Sequence, residues 1–344
     1  MELRKKIGAL LHSRKFQYSV IALAIVAVLP LLVRSEYVVS YVFTVMLIFA
    51  IYASSWNLLA YSGQASLGHA AFLGIGGFAS ALLAIRLNLP PILGLFLGGL
   101  ISAGVGFLIG LACVRLKAWF LGMVTFGFAI IAVTIVTQFD EVFGGVVGFA
   151  TPTIVPQGAP FFYATLAITV SCIATLYLVM KSKWGLAFKA IRENELEAKM
   201  IGINSAKYRL LAFVISTFFA GLAGGLLAES QLFLTTDIFS PDNSFLPLIM
   251  AIIGGLGTIE GPIIGSVLIV FIDSYLPLAD RVLQPLSPLF RGVTSVGTPL
   301  GHAALGLFLI LVIIFLPKGL TSLFHKGYQY LSKELSTGKT DGKT

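Results

Sequence analysis

A chain of 344 residues that is 57% hydrophobic and only 11% charged cannot present a wettable surface in any compact shape, because soluble domains carry about 25% charged residues. The mean hydropathy of +0.95 comes from long uncharged blocks, and blocks of about 18 residues or more read as membrane-spanning helices. The alternating pattern of a membrane β-barrel is absent, so the formal charge of +8 is a signal of topology and not of nucleic acid.

In chain order, the basic start "MELRKKIGALLHSRK" precedes an apolar run that ends in "PLLVRSEY". No small-residue cleavage site follows, which predicts an uncleaved first span and not a signal peptide. Low-charge blocks lie near 18–33, 37–60, 64–85, 89–114, 118–137, 161–180 and 209–228, with a longer one at 245–272 and a last one at 302–316. Nineteen of the 23 Lys/Arg fall in four segments: 1–17, the link with Arg115 and Lys117, the loop 181–209, and the tail 317–344. The positive-inside rule places all four in the cytoplasm. Parity then requires the 245–272 block to contribute no crossing or two. The expected fold is an all-α polytopic membrane protein with eight to ten transmembrane or half-spanning helices and both termini cytoplasmic. Its divisions are a cytoplasmic segment 1–17, one transmembrane domain 18–316 with the cytoplasmic loop 181–209, and a cytoplasmic tail 317–344.

Between the second and third blocks stands "AYSGQASLGHAAF", residues 60–72. Gln64 and Ser66 are expected in the first turn of the third span, where free backbone N–H groups need acceptors. His69 and, on the preceding span, Asn57 lie deeper. Polar groups at depth face a bundle interior; here they either bond helix to helix or contact a solute. In the fourth block Gly94, Gly98, Ser102, Gly106 and Gly110 recur every four residues, one face on which another helix can approach closely. The seventh has a similar pattern in Thr217, Gly221 and Gly225, with Ala220, Gly224 and Ala228 beside it.

The loop "KSKWGLAFKAIRENELEAKMIGINSAKYRL" predicts a helix from about Leu186 to Ile201. Ala187, Ile191, Asn194, Ala198 and Ile201 share a narrow face, with Lys189, Arg192, Glu193 and Glu197 elsewhere. Gly202 is the natural stop, and Asn204 or Ser205 can cap the next helix. The face is poor in the wide apolar anchors of a membrane-surface helix and suits a groove on a partner protein. In the 245–272 block, "GGLGTIEGP" carries Gly254, Gly255, Gly257, Gly261 and Pro262. It predicts two short half-spans joined by a break, which membranes tolerate only where protein or a wet cavity satisfies the backbone. Gly255, Gly257 and Glu260 are therefore candidates for the solute path, together with Asn57, Gln64, Ser66 and His69.

Chemistry-bearing motifs are few. Cys113 and Cys172 lie in apolar blocks, the four histidines are scattered, and no CxxC, HExxH or GxxxxGK[ST] occurs. No catalytic residue, metal site or cofactor is expected, and ATP could not be bound by a P-loop of this chain. Ser66 and His69 could touch, but nothing orients the histidine as a triad requires.

Five pieces in order, "WNLLAYSGQASLGHAAFLGIGGFASALL", "VRLKAWFLGMVTFGFA", "GLAFKAIRENELEAKMIGINSAKYRLLAFVISTFFAGLAGGLLA", "IIGGLGTIEGPIIGSVL" and "LPKGL", resemble the LivM-like permeases of branched-chain amino acid ABC importers. The resemblance runs from Trp56 to Leu320. In the wider importer class the cytoplasmic loop carries an EAA-type motif that docks on the ATPase; here "EAKMIG" puts Glu197 and Ala198 ahead of Gly202, lacking the second alanine and one residue of the spacing. The resemblance implies coupling residues at Ala187, Ile191, Arg192, Glu193, Asn194, Glu195, Glu197, Ala198 and Gly202. It also implies a cell (inner) membrane protein working with a second homologous permease subunit, two cytoplasmic ATP-binding subunits and an extracytoplasmic substrate-binding protein. The loops 138–160, with Asp140 and Glu141, and 229–244, with Glu229, Asp237 and Asp242, would form the docking rim outside. The solute would be small and amphiphilic, a branched-chain amino acid by default, with urea or a short amide as the alternative. An ion-coupled secondary transporter is the reading from another class; it predicts mid-span carboxylates or lysines, which these spans almost lack.

Overall fold

The computed structural model describes residues 14–283 apart from 34, 36, 37, 114 and 117, and a discontinuous set between 303 and 322. Most of the expected segment 1–17 and of the tail 317–344, and part of the last span 302–316, lie outside the described residues, as do both termini. Helix α1 spans Arg14–Leu32, and a π-helical turn at Val38–Phe43 leads into α2, Thr44–Tyr61. Then come α3, His69–Arg86, α4, Pro91–Cys113, α5, Ala118–Gln138, and the short α6, Asp140–Phe143. After β1 (Phe149–Ala150) the chain forms α7, Ala159–Lys181, α8, Lys183–Glu193, α9, Glu195–Met200, and α10, Ser205–Gln231. β2 (Phe233–Leu234) and a 3-10 turn at Thr236–Phe239 precede α11, Pro241–Gly254, and α12, Glu260–Leu283.

Among the described residues, six helices are long and apolar enough to cross a membrane: Tyr41–Tyr61, His69–Arg86, Pro91–Cys113, Trp119–Gln138, Ala159–Lys181 and Ser205–Gln231. The first is the central post. Between Thr44 and Ala60 every residue of α2 but Leu47 is buried, so apolar character runs all round it, as a helix enclosed by others requires. The remaining spans leave large side chains such as Phe96, Leu108, Trp119 and Ile131 exposed on their outer sides, a surface suited to lipid.

The seam of small residues is where the sequence places it. Gly94, Gly98, Ser102, Gly106 and Gly110 are all buried, facing α3 and α10. A Cβ on Gly98 would sit 2.6 Å from the Gly76 carbonyl oxygen, and one on Gly106 would overlap the Thr217 side chain. Gly104, off that face, meets nothing within 4 Å. Where α3 meets α10, a Cβ on Gly76 would overlap Gly221, and one on Gly224 would overlap the Leu73 carbonyl. The Ser102 hydroxyl lies 3.0 Å from Phe72 O and 2.9 Å from Thr217 O, so it donates to the backbone of either neighbour. Close backbone contact with a polar pin holds helices together where water-driven association is missing.

The glycine-rich break separates α11 from α12. The pairs Gly254–Gly261 and Met250–Gly265 are in backbone contact, and their residue numbers converge on the turn, so the two helices form an antiparallel hairpin. With 14 residues, α11 is about 21 Å long, short of a hydrocarbon core of about 30 Å. At the other end of α10, the loops 138–160 and 229–244 meet. β1 pairs antiparallel with β2, Phe149 opposite Leu234, and the Thr151 hydroxyl donates to Ala228 O at 2.7 Å. Ile154 N donates to the Glu229 carboxylate at 3.0 Å. Since α10 has 27 residues, this end lies about 40 Å along the helix from its start beside α9.

Candidate functional site

The α8–α9 element departs from the single helix expected over 186–201. Asn194 breaks it, in an extended conformation at φ −156°. Its Oδ1 accepts from Leu196 N at 3.0 Å and Glu197 N at 3.3 Å, and its Nδ2 donates to Glu197 Oε1 at 2.6 Å. An asparagine N-cap with a glutamate three residues on satisfies the free N–H groups of a new helix, so the chain restarts as α9 in place of continuing α8. Ser182 caps α8 through Trp184 N at 3.1 Å, and Asn204 caps α10 through Lys207 N at 3.1 Å. Gly202, at φ +84°, is the stop the sequence predicts.

The kink changes which residues face outward. Ala187, Ile191 and Ala198 are buried beneath the element, against this chain's own bundle; they are not free to meet a partner. Asn194 is exposed, and Ile201, expected on the same face as these, is 75% exposed. With it stand Leu186 at 67%, Leu196 at 65% and Met200 at 78%. Sequence reasoning gave Leu186, Leu196 and Met200 no role, because a continuous helix puts them off the apolar face. Glu193 and Glu197 lie exposed on the polar side. Glu195 fastens α9 to the root of α10, with Arg209 Nη2 at 2.8 Å and Lys199 Nζ at 2.8 Å. The hydrogen bond from Lys199, aided by the charges of Lys199 and Arg209, holds the Glu195 carboxyl below its ordinary value of 4.5.

The turn between α11 and α12 comes to the same end. Asn57, only 1% exposed, grips it from α2: Nδ2 donates to Thr258 O at 2.6 Å, and Gly257 N donates to Oδ1 at 2.7 Å. The Thr258 hydroxyl donates to Gly255 O at 2.7 Å, and Gly261 N donates back to it at 3.0 Å. Gly255 and Gly257 have positive φ, 134° and 74°, which a side chain would resist. Glu260 is exposed in the first turn of α12, where a carboxylate opposes the helix dipole favourably. Leu320 N donates to Ile253 O at 2.9 Å, bringing the end of "LPKGL" against the same turn. Arg192 reaches over from α8: its guanidinium carbon is 5.7 Å from the Tyr61 ring centroid and lies against Gly257. Asn57, Gly255 and Gly257 thus meet at one turn, with Arg192 against it and Glu260 at the start of the helix that follows.

Gln64, Ser66 and His69 belong elsewhere. Helix α3 begins at His69, so Gln64 and Ser66 are not in its first turn but in the non-helical stretch 62–68. The physical reason is a tight turn: Ser62 N and Gln64 N both donate to Leu59 O, at 2.9 and 3.0 Å, and Gly63 sits at φ +76°. Gln64 Nε2 donates to Arg209 O at 2.9 Å and to Ser62 Oγ at 2.9 Å. Ser66 supplies its carbonyl to Trp56 Nε1 at 2.7 Å. His69 is fully buried, with Nε2 3.1 Å from Ser55 Oγ and its ring stacked on Tyr52 at 5.3 Å. The Ser216 hydroxyl donates to Ser55 O at 2.6 Å, so this set ties α2, α3 and α10 together.

Residues 38–316 match the family described as the branched-chain amino acid transport system permease component. The high-affinity branched-chain amino acid transport system permease protein LivM of Salmonella typhimurium is 28% identical over 258 residues, covering 66% of this chain and 61% of that protein. LivM of Escherichia coli is 28% identical over 283 residues, 72% of this chain and 67% of the relative. The probable branched-chain amino acid transport permease protein LivH of Methanocaldococcus jannaschii is 27% identical over 210 residues, 57% of this chain and 66% of the relative. The chain therefore spans about three fifths of the length of the Salmonella protein it matches. No solved structure matches it. With its apolar helices and a family match covering most of its length, the chain is a multi-pass membrane protein and belongs to the branched-chain amino acid transport system permease family.

Proposed function

We propose that this chain is the membrane-spanning permease subunit of an ATP-driven, binding-protein-dependent importer of branched-chain amino acids, resident in the cell (inner) membrane. The observation that carries the reading is the α8–α9 element. At a polar, basic end of the protein, Leu186, Leu196, Met200 and Ile201 project outward, while the element's helix ends are capped by Ser182, Asn194 and Asn204. Exposed large apolar residues grouped on a rigid, capped element suit a groove on a protein partner. That partner is a cytoplasmic ATPase, one of two, since the sequence has no P-loop of its own. A second, homologous permease completes the pathway, and the similarity to both LivM and LivH relatives supports such a pair. The rim formed by 138–160 and 229–244 takes the loaded binding protein. The family match and the names of the relatives favour a branched-chain amino acid as the solute.

A mild-detergent pull-down of the tagged protein from its native membranes, with partners identified by mass spectrometry, tests this. A co-purifying P-loop ATPase that is lost with Leu196→Asp and Met200→Asp is the expected result, with the accompanying binding protein taking leucine in preference to urea. An intact complex without an ATPase would overturn the reading and move an ion-coupled carrier to the front; preference for urea would replace only the solute.

A further inference from the structure

The cluster at the α11–α12 turn has a property that docking alone does not explain. Among the described residues no carboxylate pairs with Arg192: the ion pairs of the element are Lys189–Glu193, Lys199–Glu195 and Arg209–Glu195. Its guanidinium is instead laid between the Tyr61 ring and the backbone at Gly257. Two glycines allow this close approach. A Cβ on Gly257 would overlap the guanidinium, and a Cβ on Gly63 would lie 3.1 Å from the Arg192 Cα. The turn it touches is the joint of a hairpin whose first arm is a half-span, and that joint is also held by Asn57. Ile191, the neighbour of Arg192, is buried beneath α8, so Arg192 moves with that helix. The Arg192 side chain is otherwise exposed, so what ties it to the joint is its pair of contacts with Tyr61 and Gly257.

We propose that Arg192 is a positioning residue that carries movement of α8–α9 to the joint of the α11–α12 hairpin, through its contacts with Tyr61 and Gly257. The inference rests on the importer reading above. A planar, always-charged guanidinium suits this role because it stacks on a ring and slides across it, where an ammonium is a compact, strongly hydrated point charge. Arg192 is thereby separated in role from Leu186, Leu196, Met200 and Ile201, which meet the ATPase.

The test uses the intact importer purified from native membranes and reconstituted in vesicles with its binding protein, reading radiolabelled leucine taken up and ATP hydrolysed. In Arg192→Ala the ATPase co-purifies in the wild-type ratio, while leucine imported per ATP falls by about tenfold, within the range usual for coupling between sites. Arg192→Lys recovers part of the ratio. Tyr61→Leu lowers it too, and the double variant is no worse than the more affected single, as residues acting through one contact require. An unchanged ratio in Arg192→Ala overturns the proposal, as does an additive double variant or loss of the ATPase from Arg192→Ala, which would make the residue a docking contact. If the Arg192→Ala subunit itself does not fold and reach the membrane, Tyr61→Leu against Tyr61→Phe decides, an equal ratio in the two being refutation. Wild-type complex lacking an ATPase marks failure of the importer reading itself, a result distinct from all of these.

Discussion

Replacing Asn57 with alanine isolates the grip on the hairpin joint. The side chain makes two short bonds, 2.6 Å to Thr258 O and 2.7 Å from Gly257 N. Its removal forfeits both and orphans one backbone donor and one acceptor. Each orphaned buried group costs about 1–3 kcal/mol. Gly257 and Thr258 are only half-buried, so water can reach the vacated space and the low end of the range applies, about 1–1.5 kcal/mol each and about 2–3 kcal/mol for the pair. At about 1.4 kcal/mol per tenfold, opening of the turn rises by roughly 30- to 140-fold. Hydrogen exchange followed by mass spectrometry reads this directly in the peptide spanning 253–262, where Gly257 N, Thr258 N and Gly261 N are all bonded within the turn or to Asn57. A peptide from the α4 seam serves as control and keeps its protection. Asn57→Asp fares no better than alanine, because it keeps an acceptor for Gly257 N but sets an oxygen against Thr258 O. Exchange in 253–262 unchanged within about threefold would show that the clamp does not hold the turn, and the mechanical role given to it would go.

Gly106→Ala, whose new methyl overlaps Thr217, destabilises the detergent-solubilised protein by about 1–3 kcal/mol, whereas Gly104→Ala, facing open space, shifts it by less than about 0.5 kcal/mol; equal melting temperatures for the two would contradict the seam. Leu196→Asp, on an exposed face, leaves folding intact and cuts the co-purifying ATPase by at least about thirtyfold, the loss expected of an interface hot spot; undiminished recovery would point to a different docking surface. Glu195 is depressed in the fold, so its ion pairs stabilise above the unfolded value of 4.5 and are lost as pH falls through the lower folded value. The melting-temperature advantage of wild type over Glu195→Gln is therefore constant from about pH 8 down to about pH 5 and then shrinks as pH falls below the unfolded value toward the lower folded one; an advantage that grows on acidification would refute the assignment.

The regular part of the molecule was legible because lipid and helix impose simple periods. The four-residue recurrence from Gly94 to Gly110 needs no partner to be read, and all five residues are buried as expected. The break at Asn194 was not legible, since asparagine tolerates a helix interior and becomes an N-cap only when the chain bends there. The apolar face of α8 was visible, but not what covers it: a sequence pattern shows that Ala187 and Ile191 are to be buried, not whether the cover is a partner or the chain's own bundle. Asn57 was visible as a polar group at depth. Its bonds join residues 200 and 201 positions apart, and no local pattern carries that pairing.

Six polar side chains of this apolar chain share one kind of partner. Trp56, Asn57, Gln64, Ser102, Thr151 and Ser216 all donate to backbone carbonyls. In hydrocarbon a backbone group without a partner costs several kcal/mol, so a non-helical stretch survives there only where side chains complete its bonding. The stretches 62–68 and 255–259, at the basic end of the bundle, are completed in the same way by Trp56, Gln64 and Asn57. Both meet the α8–α10 junction: Gln64 at Arg209, and Gly63 and Gly257 at Arg192. The α3–α4–α10 seam, with backbone against backbone, has no slack to move. The two non-helical stretches hold by a few replaceable hydrogen bonds, and they are the ones that touch α8–α9. The α8–α9 element thus touches both kinds of structure, the root of α10 at Arg209 and the two hydrogen-bonded joints at Gly63 and Gly257, and only the joints have a backbone that is not already locked into a helix.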